Sequence, residues 1–372
     1  MRIRASQLHT GTETLTDALL EFENERITRI VKYAGESCDS SVESLVPGFV
    51  DVHCHGGRGA FFFDEDDKAI DHAAQFHLNH GTTTLVASFI ANPVELVERQ
   101  ITRLVALMPL KNIRGIHLEG PFLSEIFCGA HNPEFLLPPT DELITRFLKV
   151  GKGNILMMTI APELPNAMNA IRNLASQGVI AAIGHSDADN LITRQAIDNG
   201  AKLVTHFFSA MRPIHHRIGS MTLATLLDER IHLELILDSV HIFPEAVAIP
   251  KSLAPRRVIA ITDALSVAGQ PDGDYRLGTV DVELRSGIAK IKGKDLLAGS
   301  TLTMDRSFKS AITKLNFTPL EAVQAFATRP AKLFGFDDVG ELRPGHRADF
   351  LAFDSDWNLK KVWFRGSQLP QV

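Results

Sequence analysis

Short apolar runs alternate with amphipathic stretches along the middle of the chain, and each pair predicts a strand followed by a helix. An apolar run of about four to eight residues is typical of a buried strand, whereas apolar positions repeating every three or four residues are typical of a helix. Several helical patterns stop at glycine, as at Gly81, Gly178 and Gly200, a common helix end. The alternation repeats eight times, which predicts a (β/α)8 barrel of the TIM type within an α/β fold class.

The predicted strands are Leu45–His53, Thr83–Phe89, Arg114–Glu119, Ile155–Ile160, Val179–His185, Leu203–His206, Leu233–Asp238 and Val258–Asp263. The predicted helices are Asp67–His80, Pro93–Met108, Thr140–Val150, Pro165–Gln177, Asp189–Asn199, Met221–Glu229 and Pro244–Leu253.

Both ends of the chain carry a different pattern, in which short apolar runs are separated by polar, turn-like stretches. This pattern predicts small antiparallel strands. Together with the family resemblance described below, it predicts a small β-sandwich domain built from both chain ends, residues 1–46 plus 338–372. The barrel domain is then expected to span residues 47–337.

Composition excludes several classes of protein. The 372 residues are 45% hydrophobic and 22% charged, as in an ordinary globular protein. A net charge of −6 argues against a nucleic-acid partner, which would call for a basic face. The three cysteines are far apart and predict no disulfide framework. No apolar run reaches membrane-spanning length and the start of the chain lacks an apolar leader, so we expect a cytoplasmic protein that binds no membrane.

Nearly every predicted barrel strand ends on a residue that can bind a metal ion or transfer a proton. These residues are His53 and His55 (first strand), Glu119 (third), His185 (fifth), His206 (sixth), Asp238 with His241 just beyond it (seventh) and Asp263 (eighth). The active site of such a barrel lies at the carboxyl ends of its strands. One histidine or aspartate in such a place is usually structural, but this many together predict a metal centre.

Glu119, His185 and His206 supply one carboxylate and two imidazoles, the kind of open ligand set that catalytic zinc sites use. Side chains alternate between the faces of a strand, so His53 and His55 point the same way and can hold a second ion. We therefore expect one or two divalent ions per chain. Zinc is the first choice, while iron, manganese and cobalt accept the same ligands.

Asp263 follows the eighth strand and is the predicted general base, which takes a proton from the attacking water and then gives it to the leaving amine. His117 lies two residues before Glu119 and is predicted to be a packed, hydrogen-bonded histidine. Cys54 is expected in the core. Cys128, in the loop after the third strand, is either a thiol ligand near the metal or an inert, partly buried thiol. Arg217, beside His215 and His216, suits a phosphate group.

At this point the residues resemble a known family, the N-acetylglucosamine-6-phosphate deacetylases of the amidohydrolase superfamily. The resemblance runs over nearly the whole chain, and its most specific segments are Leu118-Glu-Gly-Pro-Phe and Gly129-Ala-His-Asn-Pro. Other matching segments are Pro47-Gly-Phe-Val-Asp-Val-His-Cys-His-Gly-Gly, Gly184-His-Ser, Thr205-His-Phe-Phe-Ser-Ala-Met, Asp238-Ser-Val-His, Thr262-Asp-Ala and Leu297-Ala-Gly-Ser.

The resemblance implies hydrolysis of the acetamide of N-acetylglucosamine 6-phosphate to glucosamine 6-phosphate and acetate. It assigns Glu119, His185 and His206 as principal metal ligands and Asp263 as the acid/base that also lies at the metal. Members that keep His-x-His, as here at His53 and His55, bind two metals. His241 matches a residue that contacts the sugar and helps to polarise the carbonyl. The other implied substrate contacts are Ala130, His131, Ser209, Ala210, Leu297, Ala298 and Gly299. Arg217 matches a phosphate-binding arginine that reaches across from the neighbouring subunit, which implies a homodimer.

Two departures leave alternatives open. The family usually has asparagine where Ser209 stands and glycine where Ser239 stands. A related N-acetylhexosamine phosphate, such as the galactosamine epimer, would use the same metal and aspartate. A cyclic-amide hydrolase of the superfamily would carry a carbamylated lysine that bridges two metals on a barrel strand. This chain has Glu119 in the bridging region, and none of the other predicted strand ends has a lysine. A catalytically silent scaffold should have lost Asp263 or a ligand, and none is lost.

Overall fold

Eight parallel strands form one sheet whose spatial order follows the chain. The computed structural model describes residues 1–108 and 112–370. The barrel strands, first to eighth, are Phe49–Cys54, Thr82–Ile90, Ile113–Glu119, Ile155–Ile160, Ile180–Ile183, Leu203–Val204, His232–Ile236 and Val258–Ile261. The helices between them are Asp67–Asn79, Val94–Leu107, Asp141–Gly151, Ala167–Ser176, Asn190–Asp198, Met221–Leu227 and Pro244–Leu253. The predicted barrel is confirmed, with most element ends within two residues of expectation.

Main-chain hydrogen bonds join the ends of the first and eighth strands. The amide of Asp263 donates to the carbonyl of His53 (2.8 Å), and the amides of His55 and Gly56 donate to the carbonyl of Ala264 (2.8 and 3.0 Å). These bonds close the sheet at its carboxyl edge. They also tie together the backbone of three residues predicted to form the metal centre.

A seven-stranded sheet takes strands from both ends of the chain, as predicted. Its order is Ser367–Gln368, Leu359–Phe364, Phe350–Phe353, Ser40–Pro47, Arg2–His9, Thr14–Glu23 and Arg26–Lys32. All neighbours are antiparallel except the pair Arg2–His9 and Ser40–Pro47. Alternate residues of these strands, including Ile3, Phe350 and Trp363, are fully buried in one apolar cluster.

The chain divides into two compact units. One comprises Met1–Asp51, Gln75–Leu85 and Thr303–Val372, and the other comprises Val52–Ala74 and Val86–Leu302. The domain boundaries predicted from the sequence stay a prediction. All the side chains of the candidate site described below belong to the second unit.

Several elements were not predicted. A hairpin pairs Gly56–Gly57 with Ala60–Phe61, and a three-stranded antiparallel sheet consists of Gly273–Leu277, Val280–Arg285 and Ile288–Ile291. A 3-10 turn spans Pro133–Phe135. Late helices span Met304–Thr313, Pro319–Val323, Gln324–Thr328 (a π-helical turn) and Arg329–Leu333. Within the described ranges, no helix is long and apolar enough to cross a membrane.

One buried histidine in the sheet from the chain ends makes stability depend on pH. His9 is 3% exposed, and burial lowers the pKa of its ring to about 4 from its ordinary value near 6.5. Its Nδ1 lies 2.9 Å from the hydroxyl of Thr14. Because the unfolded chain binds a proton at higher pH than the folded one, folding loses free energy as pH falls from about 6.5 to 4.

We expect His9→Gln, which cannot titrate, to weaken this acid sensitivity. The contribution of His9 amounts to about 3 kcal/mol of unfolding free energy between pH 7 and pH 4. Urea unfolding at the two pH values measures it in both proteins. An equal loss in the wild type and in His9→Gln would contradict the assignment.

Candidate metal centre and active site

The structure brings six predicted metal-binding side chains to one mouth of the barrel. His53 lies in the first strand and His55 just after it, and Glu119 is the last residue of the third strand. The others lie two residues beyond the ends of their strands, because those strands are shorter than predicted: His185, His206 and Asp263. All six are at most 7% exposed. Parallel strands explain the convergence, since their carboxyl ends share one edge.

Glu119 lies at the centre of this cluster. Its Oε1 is 2.9 Å from Nε2 of His206 and 3.1 Å from Nε2 of His185. Its Oε2 is 3.2 Å from Nε2 of His55 and 3.4 Å from Nε2 of His131. One carboxylate therefore contacts imidazoles from four different segments, and His53 lies 3.5 Å from Oε1 as well.

The donor atoms fit a divalent cation. Two pairs of ring nitrogens face each other closely, His185 with His206 (3.0 Å) and His53 with His55 (3.2 Å). Neutral imidazoles cannot both aim lone pairs at this distance without a proton or a cation to share. Within the described residues, two groups have ligand atoms all within 4.8 Å of one another: His53 with His55 and Glu119, and Glu119 with His131 and His185. Mixed imidazole and carboxylate sets of this kind suit zinc, iron, manganese and cobalt.

Asp263 faces the same cluster. Its Oδ1 lies 3.2 Å from Nε2 of His55 and 3.4 Å from Nε2 of His53. Burial alone would raise the pKa of this carboxyl, but the two histidines outweigh burial and lower it. The same balance holds the pKa of Glu119 well below its usual range, with His53 the main opposing group. Both carboxylates are therefore charged at neutral pH.

The histidines divide by their surroundings. Burial lowers the pKa of His185 to about 4, so this ring is neutral and can coordinate a cation. Burial also opposes protonation of His53, yet the pKa of that ring is raised well above its usual value by Glu119, Glu234 and Asp263. The site thus concentrates negative charge around His53.

Backbone strain directs three of these side chains. His185, His206 and Asp263 have φ values of +47°, +29° and +50°, in the left-handed region that side chains other than glycine seldom adopt. Each such residue costs about 1–3 kcal/mol, and residues of this kind cluster at functional sites. Each of the three lies two residues beyond the end of its strand, where its own side chain joins the cluster at the mouth.

His241 is held by the aspartate predicted beside it. The ring Nδ1 of His241 lies 2.7 Å from Oδ2 of Asp238, and the amides of Val240 and His241 donate to Oδ1 (2.8 and 2.9 Å). The carboxylate places the ring proton on Nδ1 and leaves Nε2 to face the cavity. Ser239 between them has φ of +64°, which explains why the family pattern has glycine there.

A cavity of about 620 Å³ opens over the cluster. Most predicted substrate-binding residues line it: Ala130, His131, Ser209, Ala210, His241, Leu297 and Gly299. Two are not among its lining residues. Ala298 is fully buried, with its amide bonded to the carbonyl of Ala289 (3.1 Å), and Arg217 is exposed. Cys128 lies on the wall, where burial raises the pKa of its thiol. Its alternative roles both stay predictions.

His117 is packed inside the barrel, as predicted. Its Nδ1 lies 2.9 Å from the hydroxyl of Ser88 and its Nε2 lies 2.8 Å from that of Thr159. Both ring nitrogens are therefore occupied, and burial keeps the pKa of the ring well below its usual value. Cys54 is fully buried.

Three polar residues at or near the site were given no role by the sequence analysis. Glu234, inside the seventh strand, contacts His53, and its only sequence signal is a lone carboxylate in an apolar run. Glu163 accepts from the hydroxyl of Ser186 and the amide of Asp187, both at 2.6 Å, next to His185. Lys294 lines the cavity from the loop after Ile288–Ile291, an element that was not predicted.

Comparison with known proteins gives consistent findings. A sequence profile of the amidohydrolase family matches residues 44–369. The chain is 31% identical to the N-acetylgalactosamine-6-phosphate deacetylase of Escherichia coli O157:H7, over 98% of each chain. It is 30% identical to the N-acetylglucosamine-6-phosphate deacetylase of Vibrio furnissii, over 98% of this chain and 93% of the other. A mutant N-acetyl-D-glucosamine-6-phosphate deacetylase from Mycobacterium smegmatis, solved with N-acetyl-D-glucosamine 6-phosphate, superposes with a TM-score of 0.96 at 38% identity, covering 99% and 98% of the two chains.

We expect Glu119→Gln to reduce divalent metal binding more than any other single change at the mouth, because it removes the negative charge that the surrounding imidazoles share. Zinc bound per chain, measured by elemental analysis after dialysis, should fall below one. Glu163→Gln is the matched control, since it makes the same change on a carboxylate that accepts hydrogen bonds from Ser186 and Asp187. Equal zinc content in Glu119→Gln and Glu163→Gln would contradict the expectation.

Proposed function

Because the chain belongs to the amidohydrolase family, we propose that it hydrolyses the acetamide of N-acetyl-D-glucosamine 6-phosphate to D-glucosamine 6-phosphate and acetate. The observation that carries the proposal is Asp263, a charged carboxylate on the cavity wall within 3.4 Å of two ring nitrogens of the cluster. Full-length similarity to deacetylases supports the choice of bond and substrate. The reaction belongs to the breakdown or recycling of amino sugars.

The family is metal-dependent, and the cluster offers places for one or two ions. Glu119, His185 and His206 would hold the first. His53 and His55 would hold a second, with Glu119 shared between the two. A bound divalent ion would polarise the acetamide carbonyl and lower the pKa of the attacking water. Zinc is the ion we propose.

Asp263 then moves the proton. Its lowered pKa keeps it ionised at neutral pH, so it can accept the proton of the attacking water. The protonated carboxyl next delivers this proton to the nitrogen of the leaving amine, because the departing amine is far more basic than a carboxylate. His241, fixed by Asp238, lines the cavity and is placed to orient the acetamide and the sugar through a hydrogen bond at Nε2.

The sugar would lie against the other predicted residues of the wall. Ala130, His131, Ser209, Ala210 and the segment from Leu297 to Gly299 are the contacts we propose. Arg217 is exposed and lies outside the residues that line the cavity of its own chain, which supports a role in the site of a neighbouring subunit. We therefore propose a cytoplasmic homodimer with the phosphate held across the interface.

The galactosamine epimer is the second candidate substrate. A relative 31% identical over 98% of the chain is an N-acetylgalactosamine-6-phosphate deacetylase. Ser209 lines the cavity where the family pattern has asparagine, so a recognition group for the sugar differs here. Acetate release from both phosphorylated epimers, beside their unphosphorylated forms, tests the choice. A metal-loaded protein that releases acetate from none of the four sugars would overturn the proposed function.

Asp263→Asn should reduce kcat by about 10²–10⁴-fold with little change in KM, because the variant cannot transfer the proton. Acetate release under steady state measures the loss. Metal content should stay at one ion or more per chain, since Glu119, His185 and His206 remain. Asp187→Asn, at an aspartate paired with Arg212, is the control. Wild-type kcat in Asp263→Asn would exclude Asp263 as the residue that transfers the proton.

Mixing two impaired variants tests the shared site. Arg217→Gln should raise KM for the phosphorylated sugar and Asp263→Asn should lower kcat, so at a sugar concentration well below the raised KM both variants release little acetate. When the two are unfolded, mixed and refolded, each mixed dimer would contain one complete site, so about a quarter of wild-type activity should return. Lys294→Gln in place of Arg217→Gln is the comparison, because Lys294 lines the cavity of its own chain. No recovery with Arg217→Gln would contradict a shared site.

A further inference from the structure

We propose that Glu234 is a positioning residue for His53, and that it sets the affinity of the His53 and His55 pair for the second divalent ion. The inference rests on the metal centre of the proposed function. It assigns a role to a residue that is not among those lining the cavity and does not belong to the predicted ligand set.

Glu234 lies in an environment where an unassisted carboxylate is costly. It is fully buried in the seventh strand, between Leu233 and Leu235, which are also fully buried. The effective cost of burying such an ion is several kcal/mol unless hydrogen bonds and opposite charge compensate it. The seventh strand tolerates this glutamate only because specific partners surround it.

The partners of Glu234 are two of the predicted metal ligands. Its Oε2 lies 3.0 Å from Nδ1 of His53, and the main-chain amide of His206 donates to the same oxygen at 3.1 Å. Because Nδ1 of His53 faces Glu234, that carboxylate keeps a proton on Nδ1, so Nε2 is the nitrogen that would bind a cation at the mouth. Glu234 also holds the amide of His206 in its strained turn.

The contact distinguishes His53 from His55 and His185, two other predicted ligands. The outer nitrogens of His55 and His185 face main-chain carbonyls, of Ser88 at 3.2 Å and Phe127 at 2.8 Å. A carboxylate makes its histidine a stronger electron donor than a neutral carbonyl does. The effect of Glu234 should therefore concentrate on the ion that His53 binds.

Glu234→Gln isolates this effect, because the amide oxygen can still accept from His53 and His206 while the charge is lost. We expect the wild type to bind two ions per chain by elemental analysis. In Glu234→Gln, the affinity for the second ion, measured by competition with a zinc chelator, should fall about 10–100-fold, with the first ion kept. Glu234→Asp keeps the charge but draws the carboxylate back, so its affinity for the second ion should lie between those of the wild type and Glu234→Gln.

A double-mutant cycle separates positioning from a general structural effect. His53→Asn should also lose the second ion, and adding Glu234→Gln to it should change zinc binding no further. Thermal unfolding of the metal-free variants checks that each is folded. Two ions held at wild-type affinity by both Glu234→Gln and Glu234→Asp, or an equal further loss of zinc in the His53→Asn background, would overturn the inference.

Acetate release distinguishes failure of the inference from failure of the proposed function. A wild type that releases acetate while binding a single ion would overturn the role of Glu234 and leave the deacetylase standing. If the wild type binds two ions but releases no acetate, and Glu234→Gln binds only one, the role of Glu234 stands and the deacetylase is overturned.

Discussion

The carboxylate of Glu119 is the interaction on which the candidate site depends. It is 3% exposed and contacts imidazoles that lie just beyond the ends of the first, fifth and sixth strands and in the loop after the third. A buried carboxylate needs opposite charge or hydrogen-bond donors, and buried imidazoles that crowd one another need an anion or a cation between them. Glu119 and the surrounding imidazoles therefore stabilise one another.

Negative charge is concentrated on one side of this arrangement. His53 lies within 3.5 Å of three carboxylates, those of Glu119, Glu234 and Asp263. Such a group is stable only with compensating positive charge, supplied by protons on the rings or by divalent ions. Beneath it the interior is polar but neutral: His117 bridges Ser88 and Thr159, and Thr159 lies 2.8 Å from the hydroxyl of Thr205. The chemistry is thus confined to the mouth.

Much of this arrangement could be predicted from the sequence, because in a parallel barrel the order of strands along the chain fixes which residues share an edge. His53, Glu119 and Asp263 needed only the place where each apolar run ends. Glu234 could not be found in this way, since its partner His53 is 181 residues distant and no local pattern links them. The sheet that begins at Gly273–Leu277 was missed because charged residues interrupt the apolar runs of its strands.

The hydrogen bonds that close the barrel also determine when the complete site can form during folding. Asp263 and Ala264 pair with the backbone at His53, His55 and Gly56, contacts between residues about 210 positions apart in the chain. Contacts of such long range are entropically expensive and form after local ones. His185 and His206 can turn at their strand ends while the chain is still being built, but Asp263 meets the histidines only when the last barrel strand docks on the first. A truncated or half-synthesised chain therefore cannot assemble the complete ligand set, and full capture of the metal waits for the finished barrel.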